Sequence, residues 1–197
     1  MNLPKLSTRK PRYKGVSRLS FCSNKLKQNF DQKAPNLVWV SDITYLKAAG
    51  RWYYLCVIID LFSRKVIAWD ISSNINADLT IAVFKKAYAK RNSPQGLMFH
   101  SDQGTQYTAF EFRKLLDSSN TVQSFSKKGY PFDNAVAECF FKYLKLEETN
   151  RRTYKTLSEL RLSIFQYIEG YYNSKRPHGT LDYLTPNEKE RLYYEQL

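Results

Sequence analysis

Cysteine and histidine are scarce in this chain of 197 residues. The three cysteines, Cys22, Cys56 and Cys139, form no CxxC pair, and their odd number argues against a disulfide framework. With only two histidines in the chain, a structural zinc site is excluded. We therefore expect a protein of a reducing compartment, the cytoplasm.

Long apolar runs are also missing. No run approaches the roughly 18 residues that a membrane-spanning helix needs. The basic N-terminus is not followed by the apolar segment of a signal peptide. Hydrophobic residues nevertheless make up 43% of the chain, which is enough for one packed core. We expect no membrane partner.

Acidic residues are absent from the first 30 positions, which carry eight basic side chains. These contribute much of the net charge of +13. Lysine and arginine gain affinity for phosphates by displacing counterions, so we expect residues 1–32 to form a basic arm that binds a polyanion. A solvated tail is the alternative that charge alone leaves open.

The rest of the chain alternates apolar runs with helical patterns. Three apolar runs separated by short breaks predict an antiparallel meander, and two further short strands are interleaved with helices. This order predicts an α/β fold over residues 33–192, with helices on both faces of a mixed sheet. The strands are placed at about 37–46, 51–60, 65–71, 97–102 and 121–125, and the helices at about 76–91, 108–118, 133–148 and 157–172.

Three acidic residues stand in contexts that suit catalysis. Asp42 lies inside an apolar strand run and Asp102 ends another, whereas Glu138 falls within a helical pattern. A carboxylate in an apolar strand is costly to bury without a partner cation. Acids at the mouths of two strands and on one helix can hold divalent metal beside a phosphodiester, as two-metal phosphoryl transfer requires.

Ordinary structural roles compete with this interpretation. Any single acid is more often a surface residue than a catalytic one. Asp60 and Asp70 also end strands and compete with the proposed acids, and we expect Asp60 to cap the turn that it forms with Ser63 and Arg64. His100 precedes Asp102 and is expected to be a packed or hydrogen-bonded histidine rather than a metal ligand.

The helix that carries Glu138 has two distinct faces. A solvent-exposed pair between Glu138 and Lys142 would explain this acid alone, but not the polar and basic residues that recur around it. An apolar stripe lies opposite and is expected to face the core. The Glu138 face comprises Asn134, Glu138, Phe141, Lys142 and Lys145, and the core stripe comprises Val136, Phe140 and Leu144.

Five segments of the chain resemble the integrase catalytic core of bacterial insertion-sequence transposases. The resemblance is to the second-frame (OrfB) product of the family whose transposase is made by frameshifting, and it runs from about residue 30 to residue 192. The segments are 39–45 (WVSDITY), 60–69 (DLFSRKVIAW), 99–107 (FHSDQGTQY), 128–135 (KGYPFDNA) with Glu138, and 172–178 (YNSKRPH).

The resemblance implies an RNase H-like fold with a five-stranded mixed sheet, three strands antiparallel and two parallel. It also implies that Asp42, Asp102 and Glu138 are the DDE triad of the family, with 35 residues between the last two. Such a triad holds two Mg²⁺ ions, for which Mn²⁺ is a possible substitute, since both accept carboxylate oxygens.

The resemblance further implies that Lys145, seven residues after Glu138, contacts transposon-end DNA. A solvated lysine is the alternative. Further candidates for DNA contact rest on weaker grounds, since a soluble loop, a plain turn or core packing would explain them equally. These candidates are Lys142, Lys127, Lys128, Gln103 and Arg176.

The function expected from these features is Mg²⁺-dependent DNA cleavage and strand transfer during transposition. The alternatives are an RNase H-like nuclease and a truncated copy that binds DNA without complete transposition. The expected partners are transposon ends and target DNA, a first-frame helix-turn-helix protein or fusion, and further copies of the chain on DNA. The basic arm would then be the remnant of an upstream DNA-binding region, and the protein would be nucleoid-associated when on DNA.

Overall fold

The computed structural model describes residues 23–127 and 129–197, and for Pro131 only the backbone. Most of the basic arm predicted for residues 1–32 lies outside the described residues, as does Cys22. Within the described ranges, no helix is long and apolar enough to cross a membrane.

In the described part of the chain, five strands form one mixed sheet in the order β3-β2-β1-β4-β5. The first three strands pair antiparallel, and β4 and β5 join parallel to β1 and β4 respectively, which confirms the predicted sheet. The strands are β1 (Val38–Ala48), β2 (Arg51–Asp60), β3 (Val66–Ser72), β4 (Met98–Ser101) and β5 (Val122–Phe125).

The β1–β2 hairpin turns on two residues, Ala49 and Gly50, which both have positive φ angles of 49° and 72°. Two left-handed residues give the type of turn whose twist matches that of the flanking strands. Further along β2, the run from Leu55 to Ile59 is buried on both faces of the sheet. Helices must therefore cover both faces.

Within the described residues, six helices pack around the sheet. The first begins at Asn76, whose side chain accepts a hydrogen bond from the backbone N–H of Leu79, and the fifth continues into π-helical turns over Gln166–Tyr172. The helices are α1 (Ala77–Lys90), α2 (Thr105–Thr108), α3 (Phe110–Ser118), α4 (Ala135–Glu147), α5 (Leu157–Phe165) and α6 (Pro186–Tyr194), with 3₁₀ turns at Pro131–Asn134, Thr149–Arg151 and Gly179–Leu181.

The sheet separates two apolar cores. On one face, α1 and α3 pack aromatic rings against β1 and β4, and the ring centroids of Phe99 and Phe112 lie 5.4 Å apart. On the other face, α4 and α5 cover β1 and β2. Both faces are thus shielded, as the continuous apolar run of β2 requires.

The width of the apolar face of α4 differs from the prediction. Phe141, which was assigned to the face of Glu138, is only 7% exposed and belongs to the same core as Phe140. The reason is that α4 is covered twice, by the sheet and by the segment after α5. Phe140 packs edge-on against Tyr172 of that segment, with ring centroids 4.8 Å apart.

The sixth helix was not predicted from the sequence. Glu190 of α6 accepts hydrogen bonds from Ser63 at 2.8 Å, Lys65 at 3.0 Å and Arg91 at 2.5 Å. In the same turn, Asp60 accepts bonds from three backbone N–H groups. The predicted turn role of Asp60 is confirmed, and the turn also anchors the C-terminal helix.

Residues 23–30 pack against this core. Leu26 is 4% exposed, and the backbone N–H groups of Lys25 and Leu26 both donate to Ser124 Oγ. The division of the chain at residue 32 stays a prediction.

Candidate active site

The parallel pairing of β1 and β4 brings two of the predicted acids together. Val40 pairs with His100, and two residues further along the same two chains lie Asp42 and Asp102. Neighbouring strands are separated by about 4.8 Å. Asp42 accepts a hydrogen bond from the N–H of Ile43 at 2.8 Å, and Asp102 accepts one from the N–H of Gly104 at 3.0 Å.

Helix α4 carries Glu138 past the same stretch of β1. Asn134, at the start of the helix, donates from Nδ2 to the carbonyl oxygen of Ser41 at 3.3 Å. At the other end, the ammonium of Lys145 lies 4.7 Å from the ring centroid of Tyr45. Glu138 stands one turn after Asn134, so it is presented on the helix face that meets β1 beside Asp42.

Asp42 lies in the electrostatic field of the other two acids. Its pKa is raised to about 7, chiefly by burial, with a lowering effect of the hydrogen bond from the Ile43 N–H and a smaller rise from the negative charges of Asp102 and Glu138. Burial also raises the pKa of Asp102, opposed by its bond from Gly104. A buried carboxylate among like charges is a position that a cation would relieve.

The acids are nevertheless not gathered into a preformed metal cluster. Across residues 23–127 and 129–197, no three histidine, cysteine or acidic side chains stand close enough to hold a single ion. Asp42 and Asp102 are partly buried, whereas Glu138 is exposed to solvent. In donor chemistry the set fits Mg²⁺ or Mn²⁺, since all three side chains offer carboxylate oxygens.

A hydrogen-bond chain that the sequence did not reveal fixes β1 next to Asp42. Ser41 Oγ donates to the carbonyl oxygen of Val57 at 2.8 Å and accepts from the hydroxyl of the fully buried Tyr107 at 2.8 Å. Ser41 is the residue whose carbonyl also accepts from Asn134. One residue of β1 therefore ties together β2, the α2 segment and the start of α4.

Asp133 is a second residue that sequence reasoning missed. Its carboxylate accepts hydrogen bonds from Asn24 at 2.8 Å, Gln28 at 2.9 Å and the N–H of Lys127 at 2.8 Å. Burial raises its pKa, but these bonds outweigh that effect and lower the pKa below its ordinary value. Asp133 thus ties residues 24–28 and one end of the 127–132 loop to the turn that precedes α4.

His100 has the structural role predicted for it. Its two ring nitrogens lie 2.9 Å from Ser124 Oγ and 3.1 Å from Ser126 Oγ, and the residue is fully buried. Burial lowers its pKa to about 4, so the ring is neutral at physiological pH. It links β4 to β5.

The residues predicted to contact DNA fall into two groups. Lys142 is exposed and has no partner within the described part of the chain, and Lys127 is exposed with its ammonium 5.6 Å from the ring centroid of Tyr130. Lys145 lies against Tyr45, as described above. These three cations remain available to phosphate, and Lys128 lies outside the described residues.

The second group is already engaged in the protein. Gln103 donates from Nε2 to the carbonyl oxygen of Ser126 at 2.9 Å. Arg176 pairs with Glu147 at 2.9 Å and stacks 3.9 Å from the ring centroid of Tyr143, and its side chain is only 13% exposed. Their predicted contact with DNA would compete with these bonds.

Two models of known protein families match successive parts of the chain. A family model described as the integrase core domain matches residues 32–131, and a second model of the same description matches residues 138–191. The chain belongs to the integrase core domain family. The predicted resemblance to insertion-sequence transposases is thereby confirmed, and two curated relatives agree with it.

The transposase for insertion sequence element IS904 of Lactococcus lactis is 42% identical over 168 residues, which cover 85% of this chain and 66% of the relative. Transposase InsF for insertion sequence IS3A of Escherichia coli is 37% identical over 172 residues, covering 87% of this chain and 60% of the relative. This integrase core therefore spans less than two thirds of the length of either relative.

Solved structures show the same fold. A chain of the simian T-cell lymphotropic virus intasome in complex with the PP2A regulatory subunit B56 gamma superposes with a TM-score of 0.63 at 20% identity, over 81% of this chain and 56% of that chain. The HTLV-2 integrase catalytic core domain in complex with magnesium gives a TM-score of 0.56 at 20% identity, over 80% and 98%. The predicted RNase H-like fold is confirmed.

Proposed function

We propose that this integrase core catalyses Mg²⁺-dependent cleavage and joining of DNA strands at the ends of an insertion sequence. Asp42, Asp102 and Glu138 are the proposed metal-binding acids. The observation that carries the proposal is the position of Asp42, which is partly buried, lies beside Asp102 and feels the charge of Glu138. The transposases related to this chain and the magnesium complex of the HTLV-2 core support it.

The residues of the chain prepare this site in three ways. The N–H groups of Ile43 and Gly104 orient the two strand carboxylates. The bond from Asn134 to Ser41 sets α4 beside β1 and presents Glu138 to the same space. Among the described residues no basic side chain lowers the pKa of Asp42, so its burial leaves a cost that a cation removes.

When bound, divalent ions supply Lewis-acid chemistry that stabilises both the attacking and the leaving oxygen. The protein then needs to place a phosphodiester at the carboxylates. Lys142 and Lys145 stand on the same helix as Glu138, and Lys145 lies about 10 Å along its axis from that acid. They would attract the phosphates on either side of the reacting bond.

The proposed reaction has two displacements at phosphorus. A water oxygen attacks the phosphodiester at the transposon end and a 3′-hydroxyl leaves, and that hydroxyl then attacks a target phosphodiester. Each displacement forms one P–O bond and breaks one, so no covalent bond to the protein and no external energy source are needed.

Partners of the whole protein are part of the proposal. Joining two transposon ends to one target requires at least two copies of the site on DNA, and the HTLV-2 core is known in dimeric and trimeric forms. A helix-turn-helix protein or fusion would supply recognition of the end sequence. We propose that the protein acts in the cytoplasm, on the bacterial nucleoid.

Strand joining tests the proposal directly. A duplex that represents the end of the encoding element, precut to expose its 3′-hydroxyl, is incubated with a supercoiled plasmid and Mg²⁺ or Mn²⁺. The wild-type protein should join the two DNAs, and Asp42→Asn, Asp102→Asn and Glu138→Gln should each lose roughly a thousandfold or more of this activity. Asp117→Asn, an exposed acid of α3, is the matched control.

Three outcomes would contradict the proposal. Full joining by Glu138→Gln would remove that residue from the site. Plasmid nicking by the wild-type protein without joining would indicate a nuclease. DNA binding with neither reaction would indicate a chain that lacks the rest of the transposition machinery.

A further inference from the structure

A cleft of about 550 Å³ lies beside the candidate site, at the tip of the β1–β2 hairpin. It exists because β4 pairs only with Val38–Val40, so that within the described residues no strand covers the later part of β1 on that side. We call it the hairpin groove. Its side chains include Tyr45, Lys47, Trp52, Lys145, Thr149 and Arg152.

Two aromatic rings stand open to solvent in the hairpin groove. Tyr45 is 58% exposed and Trp52 is 54% exposed, and their rings meet edge to face with centroids 5.2 Å apart. Large rings are usually buried, because each removes a large apolar area from water. Two of them exposed side by side on a rigid hairpin mark a surface suited to binding.

Basic side chains surround these rings. Lys145 lies 4.7 Å from the ring centroid of Tyr45 and Lys47 lies 5.8 Å from that of Trp52. Neither ammonium has a carboxylate partner in the described ranges. Arg152 pairs with Glu148 at 3.0 Å but keeps 59% of its side chain exposed. No acidic residue lines the groove, so its field favours a polyanion.

We propose that the hairpin groove binds an unpaired stretch of the DNA strand that leaves the candidate active site. A base stacks on the Tyr45–Trp52 pair, and the adjacent phosphates lie against Lys47, Lys145 and Arg152. Exposed aromatic rings combined with cations are the means by which proteins hold single strands without reading sequence. This inference rests on the proposed function.

The path from the acids to the rings fits such a strand. Tyr45 is three residues, or about 10 Å, beyond Asp42 on β1, and this odd separation puts the two side chains on opposite faces of the sheet. Lys145 of α4 nevertheless reaches the Tyr45 ring, beside the edge of β1 that no described strand pairs with. Lys145 is about 10 Å from Glu138 along α4. About three nucleotides of one strand cover that length. An intact duplex could not offer a base to these rings, because its bases are already stacked on one another.

Binding measurements without metal test this inference separately from catalysis. Fluorescence anisotropy in EDTA compares a blunt duplex of about 20 base pairs with the same duplex carrying about four unpaired thymidines. The wild-type protein should prefer the extended probe. Tyr45→Ala and Trp52→Ala should each weaken binding of the extended probe about tenfold and leave binding of the blunt probe unchanged.

The chain offers a close control. Tyr194 of α6 is 51% exposed and meets Tyr193 with ring centroids 5.4 Å apart, so Tyr194→Ala removes a similar ring from outside the groove. It should leave both affinities unchanged. Trp52→Phe retains a stacking ring and should keep most of the preference, which guards against a variant that merely misfolds.

Two results would overturn the inference. One is equal affinity of the wild-type protein for the two probes, and the other is an unchanged preference in the Tyr45→Ala, Trp52→Ala double variant. Asp42→Asn should bind the extended probe like the wild-type protein. Absence of strand joining by the wild-type protein, with this binding preference intact, would therefore count against the proposed function and not against the groove.

Discussion

The turn after β2 and the middle of β1 each remove a carboxylate from water, and they do so in opposite ways. Asp60 is fully buried and accepts hydrogen bonds from the N–H groups of Asn36, Phe62 and Ser63, at 2.7, 2.9 and 3.4 Å. Asp42 accepts one, from Ile43. The first carboxylate is satisfied by the protein, and the second is left with capacity for a ligand.

The charges around the two acids sharpen this difference. Burial raises the pKa of both, so a raised pKa alone does not distinguish a structural acid from a catalytic one. Around Asp60 the hydrogen bond from Asn36 and the positive charge of Arg91 oppose that rise, although the negative charge of Glu190 adds to it. Among the described residues, the charges that act on Asp42 are those of Asp102 and Glu138, and both add to the rise. The presence of a neighbouring cation is therefore the more informative feature.

Exchanging the two carboxylates for amides should separate activity from stability, and this is the largest effect expected. Asp42→Asn should lower strand joining roughly a thousandfold or more. It should leave the melting temperature unchanged or raise it, because it removes repulsion. Asp60→Asn should keep joining within a few-fold at a permissive temperature but lower the free energy of unfolding by about 1–3 kcal/mol. Denaturant melts and the joining assay measure both quantities, and the reverse pattern would refute the comparison.

Glu190 and its partners Ser63, Lys65 and Arg91, here called the Glu190 cluster, connect the turn that holds Asp60 to the C-terminal helix α6. Glu190→Gln removes the charge that pairs with Arg91 and Lys65, and its side chain is only 7% exposed. Breaking a buried pair leaves uncompensated charge, so we expect a loss of about 3 kcal/mol in the free energy of unfolding at neutral pH. Glu188→Gln, on the exposed side of the same helix, provides the comparison. Equal losses in both variants would show that the pairs of Glu190 are unimportant.

The same cluster predicts how stability depends on pH. Burial raises the pKa of Glu190, but the hydrogen bond and charge of Arg91, followed by those of Lys65, lower it below its ordinary value of 4.5. A carboxyl whose pKa is lowered in the folded state stabilises the protein above the unfolded pKa and loses that contribution as the pH falls. Unfolding free energies measured from about pH 6 to pH 3 should therefore fall more steeply below pH 4.5 in the wild-type protein than in Glu190→Gln. Parallel curves would contradict the assignment.

The smallest effect is expected from the bond that sets α4 beside β1. Asn134→Ala removes one hydrogen bond to Ser41 and should cost about 1 kcal/mol of stability. Because the bond positions Glu138 and does not touch the substrate, joining should fall by about tenfold with little change in DNA affinity. Asn134→Asp, which cannot donate to that carbonyl and also buries a negative charge beside it, should lose at least as much stability and joining as the alanine variant. Full activity in both would mean that Glu138 is placed by packing alone.

Much of the fold could be predicted because the strands are apolar and close in sequence. The runs that became β1, β2 and β3 have short turns between them, so local pattern determined their pairing. The final helix, Pro186–Tyr194, was missed because its side chains are mostly polar and its stability comes from distant partners of Glu190. Its capping box of Thr185 and Glu188, with proline between them, was the signal that could have revealed it.

The acids of the candidate site could be singled out from the sequence. The residues whose hydrogen bonds hold the surrounding segments together could not. Asp42 and Asp102 stand out because an acid in an apolar strand pattern is unusual, and Glu138 stands out through the resemblance to integrase cores. Tyr107 and Asp133 do not, since their roles depend on partners 66 residues away at Ser41 and 105 and 109 residues away at Gln28 and Asn24. Long-range hydrogen bonds of this kind leave no periodic pattern in the sequence.

Titration of Mn²⁺ into the DNA-free protein by calorimetry tests most directly that the acids of β1, β4 and α4 form one metal-binding site. We expect saturable binding by the wild-type protein, binding weakened at least about tenfold in Asp42→Asn, Asp102→Asn and Glu138→Gln, and unchanged binding in Asp60→Asn. Binding by Asp42→Asn that matches the wild-type isotherm would contradict the account.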